Sequence, residues 1–356
     1  MKRVVILGST GVVGRAAIEV LSETHEIVGL GAYSNGEELL AQGRRFPKAR
    51  LALVHTLPGR SILEGEEGLS ELVLGQECDL VIVALAGIAG LLPTMKALEA
   101  GKEVLIASKE VLVAGGSKLQ KLAQQPIVPL DTELLGVRDC LRGREVKDIV
   151  SMLLPASGGP FWKKSRESLS QVTVEEALLH PTCRVGKKPA VDSALLLNKG
   201  FELIAAHLLF KVPPERMEVV IHPQSIMQCS MSFHDGAVVA ALMPPRVEHA
   251  LLRALDLPVS PFSFDQASLD FLPLDKSQFP CLELAREALR LGDSALFVLV
   301  VAAEELVNRF LKREIPYNSV APKLEKLLLN HTRQRETSLT EIISLAASVK
   351  EEATYA

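Results

Sequence analysis

Aromatic side chains are scarce in this chain of 356 residues: one Trp, three Tyr and eleven Phe, 4% in all. Cysteine is scarce and unpaired in pattern. Cys78, Cys140, Cys183, Cys229 and Cys281 are odd in number, widely spaced and without a CxxC pair, which argues against a disulfide framework and a structural zinc site. Lys and Arg nowhere form a block, and the net charge is −4, so no electrostatic footprint for nucleic acid or an anionic membrane is present. Long apolar runs are missing too. The longest, Leu80 to Leu92 and Ala295 to Ala303, fall short of the ~20 residues of a bilayer-spanning helix. The first strand begins at Arg3, leaving no room for a signal or transit peptide, so a cytoplasmic protein is expected.

What remains is an ordinary globular composition, 48% hydrophobic and 23% charged, in a chain long enough for two or three domains. The first third alternates β-branched apolar runs ("RVVILGS", "HEIVGLGAYS", "CDLVIVALAG", "EVLIAS") with segments of helical spacing such as "GRAAIEVLSE" and "LLPTMKALEAGK". Two βαβ units in succession predict a parallel, doubly wound sheet. Between the first strand and helix stands "GSTGVVG", with Gly8, Gly11 and Gly14. Glycine there permits a tight turn, close approach of a pyrophosphate and packing of helix on strand, although glycines also occur in such turns for packing alone. Where the second strand ends, Tyr33, Ser34 and Asn35 replace the acidic residue that often binds the ribose hydroxyls of NAD. That favours NADP, though no Arg or Lys stands at the same place in the chain.

The middle of the chain concentrates polar groups. "PIVPLDTELLGV" sets Asp131 and Glu133 at the end of an apolar run, either as metal ligands on one side of an extended segment or as the capped start of a helix. "LPASGGPF" offers Ser157 and two glycines, an anion-receptive loop or a plain turn before Pro160. Residues 158–186, long and polar, with Trp162 and His180, read as a lid. In "VDSALLLNKGFELIAAHLLF", Asp192 or Ser193 is the expected N-cap of one helix; Asn198, Lys199 and Glu202 share a face of it, as a surface ion pair or as polar groups of a buried helix. Gly200 suggests a close approach. His222, ending the strand "MEVVIH", is by itself more readily structural than catalytic. Residues 255–280 resemble a linker, and helices follow, with Asp293/Ser294, Asn318/Ser319 and the capping box Ser338-x-x-Glu341 as their starts.

In their order, "ILGSTGVVGR", "AGIAGLLPT", "IASKE", "PLDTE", "LPASGGPF", HP-x4-GKK, "VDSALLLNKGFE" and "IHPQSI" resemble the 1-deoxy-D-xylulose 5-phosphate reductoisomerases. The resemblance implies an α/β fold: a Rossmann-type doubly wound domain over 1–125, a central α+β catalytic domain over 126–254 with its lid at 158–186, a linker at 255–280 and a C-terminal helical bundle over 281–356. It implies an NADPH-dependent oxidoreductase of isoprene biosynthesis that uses Mg2+ or Mn2+, with Co2+ as a further candidate, forms a homodimer and is inhibited by fosmidomycin. The substrate is a small sugar phosphate; no nucleic acid or membrane is involved.

Carried over by motif, Asp131, Glu133 and Glu202 are the metal ligands. Ser157, Ser193, Asn198 and Lys199 bind the substrate phosphate, Thr132 and Lys109 lie near its hydroxyls, and His180 and His222 are active-site histidines. Gly8, Ser9, Thr10, Gly11, Val12, Val13, Gly14, Tyr33, Ser34, Asn35, Ser108, Lys109, Glu110 and Gly186 hold the cofactor. Oxygen donors of this kind suit a hard divalent ion that acts as a Lewis acid. Cys183 replaces the family's usual lid tryptophan, Thr132 a serine and Ser108 an asparagine. A semialdehyde or homoserine dehydrogenase, needing in the first case a thiol nucleophile, and a non-enzymatic nucleotide sensor are the alternatives.

Overall fold

The computed structural model describes residues 1–55, 62–75, 78–165, 167–179, 186–260, 263, 268–332 and 339–355. In chain order its elements are β1 (Arg3–Leu7), α1 (Val12–Leu21), β2 (Glu26–Ala32), α2 (Gly36–Arg45), β3 (Arg50–Leu53), β4 (Leu63–Glu64), α3 (Gly65–Leu74), β5 (Leu80–Val83), α4 (Leu91–Glu99), β6 (Glu103–Ile106), α5 (Lys109–Leu122), β7 (Val128–Pro129) and α6 (Thr132–Cys140). They continue with β8 (Ile149–Ala156), α7 (Val174–Ala177), α8 (Lys187–Ala194), α9 (Leu197–Phe210), β9 (Met217–Ile221), β10 (Met227–Phe233), β11 (Val238–Leu242), α10 (Val247–Ala254), β12 (Leu272–Pro273), α11 (Pro280–Leu291), α12 (Asp293–Leu311), α13 (Val320–Asn330) and α14 (Leu339–Tyr355). Two compact units result: Met1–Asp131 with Arg246–Ser260, and Thr132–Pro245 with Pro261–Ala356.

The first unit is built on a seven-stranded parallel sheet in the order β4-β3-β2-β1-β5-β6-β7. Val4, Val5, Ile6 and Leu7 of β1 are all buried, as a central parallel strand covered on both faces requires. The order reverses between β1 and β5, the switch point at which doubly wound sheets bind nucleotides. α10 packs against α1 and so belongs here, whereas the sequence had placed it in the catalytic domain.

The second unit holds a five-stranded sheet, β11-β10-β8-β9-β12, in which only β8 and β9 run parallel. α6 packs on β10 and β11. The expected linker at 255–280 contains β12, which pairs with β9, and the C-terminal helices are not a separate domain: α11 packs on α9, and α12 on α8. α9 is apolar nearly all round and needs cover on more than one side. Gly200 provides the approach, since a Cβ there would lie 2.6 Å from Ala285 Cβ of α11.

The single helix capped by Asp192 or Ser193 is in fact two helices. Both residues lie inside α8, and α9 starts anew at an 86° angle. The break is at Leu196, which adopts a left-handed conformation (φ 55°). That costs a branched residue about 1–2 kcal/mol. Burial of the side chain among Ala156, Ile221 and Phe279 contributes about 1.5–3 kcal/mol, so packing outweighs the local strain. α12 starts at Asp293, as expected, with Gly292 before it, and Ser338 lies outside the described residues. No single described helix is long and apolar enough to cross a membrane; α8 and α9 meet that test only as a bent pair, and both are mostly buried.

Candidate active site

The glycine turn of the first unit cannot carry side chains. Gly8 has φ +91°, and a Cβ there would meet Ala84 O at 2.4 Å; one on Gly14 would meet Gly8 O at 2.1 Å. Ser9 is fully buried, and its Oγ has no hydrogen-bond partner among the described residues. α1 begins after Gly11 with no side-chain cap and no acidic residue in its first turn, which takes in Val12 and Val13. A bare helix N-terminus beside a buried orphan hydroxyl fits a pyrophosphate.

Beyond β2, Tyr33 is half-exposed with its ring 4.7 Å from that of His55, and Ser34 is exposed. Asn35 caps α2 by accepting from Glu38 N (3.3 Å). Glu38 in turn binds Arg15 Nη1 at 3.0 Å, and Arg15 also donates to Thr10 O. The cation that the sequence lacked at the strand end thus comes from α1, twenty residues upstream, and only folding could reveal it. At the other side of the sheet Ser108 caps α5, its hydroxyl 3.2 Å from Glu110 Oε2, and Lys109 Nζ lies 2.7 Å from Asp131 Oδ2.

Asp131 is the residue immediately before α6, and Glu133 is the second residue of that helix. The two are therefore not on one side of an extended segment. A strand-to-helix turn brings them together instead, and Glu202 from α9 joins them: one carboxylate oxygen from each lies within 4.8 Å of the others. Thr132 Oγ1 donates to Glu133 Oε2 at 2.7 Å. Glu202 is 3% exposed, so its negative charge is held in a protein interior. The ion pair foreseen between Lys199 and Glu202 exists, but buried rather than on the surface: Lys199 Nζ contacts Glu202 Oε2 and lies 3.0 Å from Glu133 Oε1. A buried carboxylate and a partly exposed one draw in the nearest cation. Three carboxylate oxygens within 4.8 Å of one another fit a hard divalent cation.

A second polar cluster forms where α8 meets α9. The Ser157–Gly159 loop abuts the end of α8, for a Cβ on Gly159 would sit 2.9 Å from Ser193 O; Gly159 N donates to Ser157 Oγ at 3.4 Å. Asn198 Nδ2 donates to Pro189 O at 3.4 Å, and α9 opens without a side-chain cap. Hydroxyls, an amide and bare helix amides together suit an anion.

Other expectations fare differently. His222 is fully buried, with Nε2 accepting from Ile226 N and Met227 N at 3.2 Å each and Nδ1 donating to Asp270 O at 2.9 Å. Both nitrogens serve the protein's own backbone, so the ring holds a loop and has no lone pair or proton to spare for substrate. Gly186 is the exposed residue preceding α8. His180 and Cys183 lie outside the described residues. The start of the lid segment is anchored, not loose: Phe161 is buried against Tyr317, and Gln278 Nε2 donates to Phe161 O and Lys164 O at 2.7 Å. The four described cysteines are all buried, and burial pushes the Cys281 thiol up to about 12 and Cys78 to about 11, which leaves those two unsuited to attack a substrate.

A doubly wound sheet with a phosphate-type glycine turn, in a chain that also gathers three carboxylates for a divalent ion, defines a nicotinamide-linked α/β oxidoreductase with an oxygen-donor metal site. Comparison with known proteins narrows the class. Sequence models of 1-deoxy-D-xylulose 5-phosphate reductoisomerase match residues 4–116, of its C-terminal domain residues 127–210, and of a further DXP reductoisomerase C-terminal domain residues 237–352. Proteins named 1-deoxy-D-xylulose 5-phosphate reductoisomerase from Protochlamydia amoebophila and Thermoanaerobacter sp. are each 38% identical over 99% of this chain and 98% of their own. A crystal structure of DOX-P reductoisomerase in complex with NADPH, fosmidomycin and magnesium superposes with a TM-score of 0.91 at 30% identity, covering 100% of this chain and 98% of that one. The Zymomonas mobilis reductoisomerase in complex with NADPH gives 0.87 at 27% identity over 99% and 98%. The chain belongs to the 1-deoxy-D-xylulose 5-phosphate reductoisomerase family.

Proposed function

We propose that this protein converts 1-deoxy-D-xylulose 5-phosphate to 2-C-methyl-D-erythritol 4-phosphate, a step of non-mevalonate isoprenoid precursor synthesis, with NADPH and Mg2+ or Mn2+. The observation that carries this reading is the meeting of Glu202 with Asp131 and Glu133. When bound, the divalent ion supplies Lewis acidity toward the substrate's ketone and the branched aldehyde that follows, and NADPH supplies the hydride.

The protein's own residues do the rest. Asp131, Glu133 and Glu202 hold the ion, with Lys109 orienting Asp131 through its 2.7 Å contact and Thr132 orienting Glu133. Ser157, Ser193, Asn198 and the open turn of α9 fix the phosphate, which places the reacting carbons for rearrangement and hydride attack. Gly8 to Gly14 with the Ser9 and Thr10 backbone cradle the pyrophosphate; Tyr33, Ser34, Asn35 and the newly found Arg15 receive the adenosine end, where Arg15 supplies the charge an NADP 2′-phosphate needs. Ser108, Lys109, Glu110 and Gly186 complete the cofactor's surroundings. The protein acts in the cytoplasm as a homodimer, a state supported by β11, an edge strand with exposed apolar residues that sedimentation velocity tests directly.

The test is loss of NADPH absorbance on adding 1-deoxyxylulose 5-phosphate. Turnover is expected only with a divalent ion, abolished by EDTA, restored by Mg2+ or Mn2+ and inhibited by fosmidomycin. NADPH and metal binding without turnover would overturn the proposal.

A further inference from the structure

Glu38 lies in the first turn of α2, and its carboxylate is held at two points. Its two oxygens lie 3.0 and 3.1 Å from Arg15 Nη1, and Oε2 accepts from Asn35 Nδ2 at 2.9 Å. Arg15 Nη1 also donates to Thr10 O at 2.7 Å. Thr10 belongs to the glycine turn and Asn35 follows β2, so the pair bridges the pyrophosphate turn to the strand end where a doubly wound sheet receives the adenosine ribose. Both side chains are open to a ligand, Glu38 being 28% and Arg15 52% exposed. An ion pair this exposed adds little stability. Nor is Glu38 needed for the helix dipole, because Glu37 stands in the same first turn. What distinguishes Glu38 is where its charge stands.

Sites of this fold select NAD with a carboxylate that accepts from the ribose 2′-hydroxyl, and NADP with an arginine that neutralises the 2′-phosphate. This chain carries both groups at one spot, joined to each other. A carboxylate so close to Arg15 repels a 2′-phosphate and cancels part of the attraction that Arg15 supplies. The same carboxylate is an acceptor for a bare ribose hydroxyl. We propose that Glu38 is a cofactor-specificity residue that adds NADH to the hydride donors this protein uses. This rests on the cofactor site of the proposed function and extends it to a second nucleotide. The chemistry is unchanged, since the 2′-position is remote from the nicotinamide: the C4 hydride of NADH passes to the aldehyde carbon, the aldehyde oxygen takes up a proton, and an alcohol and NAD+ result.

Fluorescence titration of NADH and of NADPH into the full-length protein reads this without turnover. In the unaltered protein the two affinities are expected to lie within about 30-fold of each other. Glu38→Gln, which keeps the shape and removes the charge, should tighten NADPH and weaken NADH, moving their ratio by about 10-fold or more, the worth of a hydrogen bond to a charged group. Arg15→Gln should weaken NADPH by about 10-fold or more and leave NADH within about twofold. An ion pair with a structural role alone would shift both nucleotides equally. NADH should also sustain turnover of 1-deoxyxylulose 5-phosphate with Mg2+, at a kcat close to that with NADPH. A larger preference for NADPH in the unaltered protein overturns the inference, whether or not a variant folds, and so does a ratio that Glu38→Gln leaves unmoved. If both nucleotides bind and NADPH drives turnover while the ratio ignores Glu38, only this inference fails; if neither nucleotide binds, the cofactor site of the proposed function fails with it.

Discussion

Glu202 shows how one side chain carries two meanings. In the sequence it is a glutamate three positions after a lysine, a pattern that most often marks a solvated helix face. In the structure it is 3% exposed and in contact with Lys199, a placement that a buried charge tolerates only with a partner. Glu202→Gln keeps the shape and removes the charge. Turnover should fall by more than the about 10- to 100-fold that loss of an outer partner of a metal ligand costs, while NADPH affinity, read by fluorescence titration, stays within about twofold. Full activity in that variant would remove Glu202 from the ligand set. His222 is the converse case, a residue whose motif suggested substrate contact and whose two ring nitrogens are committed to Ile226, Met227 and Asp270.

At the scale of elements, the α8–α9 corner and the α9–α11 contact do most to build the site. The corner was not visible in the chain, because a left-handed leucine is locally unfavourable and is held by distant Ala156, Ile221 and Phe279; Gly200 suggested a close approach but not that α11 makes it. The glycine turn after β1, by contrast, was legible, since part of its constraint is local: Gly8 has φ +91°, and backbone atoms of Gly8 and Ser9 exclude a Cβ on Gly14. Gly200 sets two effects against each other. Replacement by Ala gains up to about 1 kcal/mol of helix propensity, but its Cβ would lie 2.6 Å from that of Ala285, and overpacking of this kind costs about 1–3 kcal/mol. The clash should win: Gly200→Ala is expected to lower Tm, and adding Ala285→Gly to recover part of the loss. A Tm that rises in the single variant would show that α11 yields readily.

At the scale of the whole molecule, β11 is an edge of the five-stranded sheet, and its Val238 and Leu242 are 67% and 36% exposed. An apolar edge left open invites pairing with another chain. The homodimer proposed above places a second copy there, so Val238→Asp with Leu242→Asp should shift the protein from dimer to monomer in sedimentation velocity while the circular dichroism of the fold is preserved. A dimer that survives both changes would move the interface elsewhere.

The amino-acid sequence by itself determined the alternation of strands and helices, the phosphate-type turn at Gly8 to Gly14 and the residue types of the site, because hydrophobic period and backbone freedom act over a few neighbours. Tertiary structure alone decided that Arg15 joins Glu38 and Asn35, that Gly200 admits Ala285, that Lys199 sits among carboxylates, and that Asp131, Glu133 and Glu202 form one cluster. Charges as far apart in the chain as Glu133 and Glu202 meet only when burial of the apolar surface around α9 fixes the path of the backbone, and that surface is completed by helices some eighty residues further on.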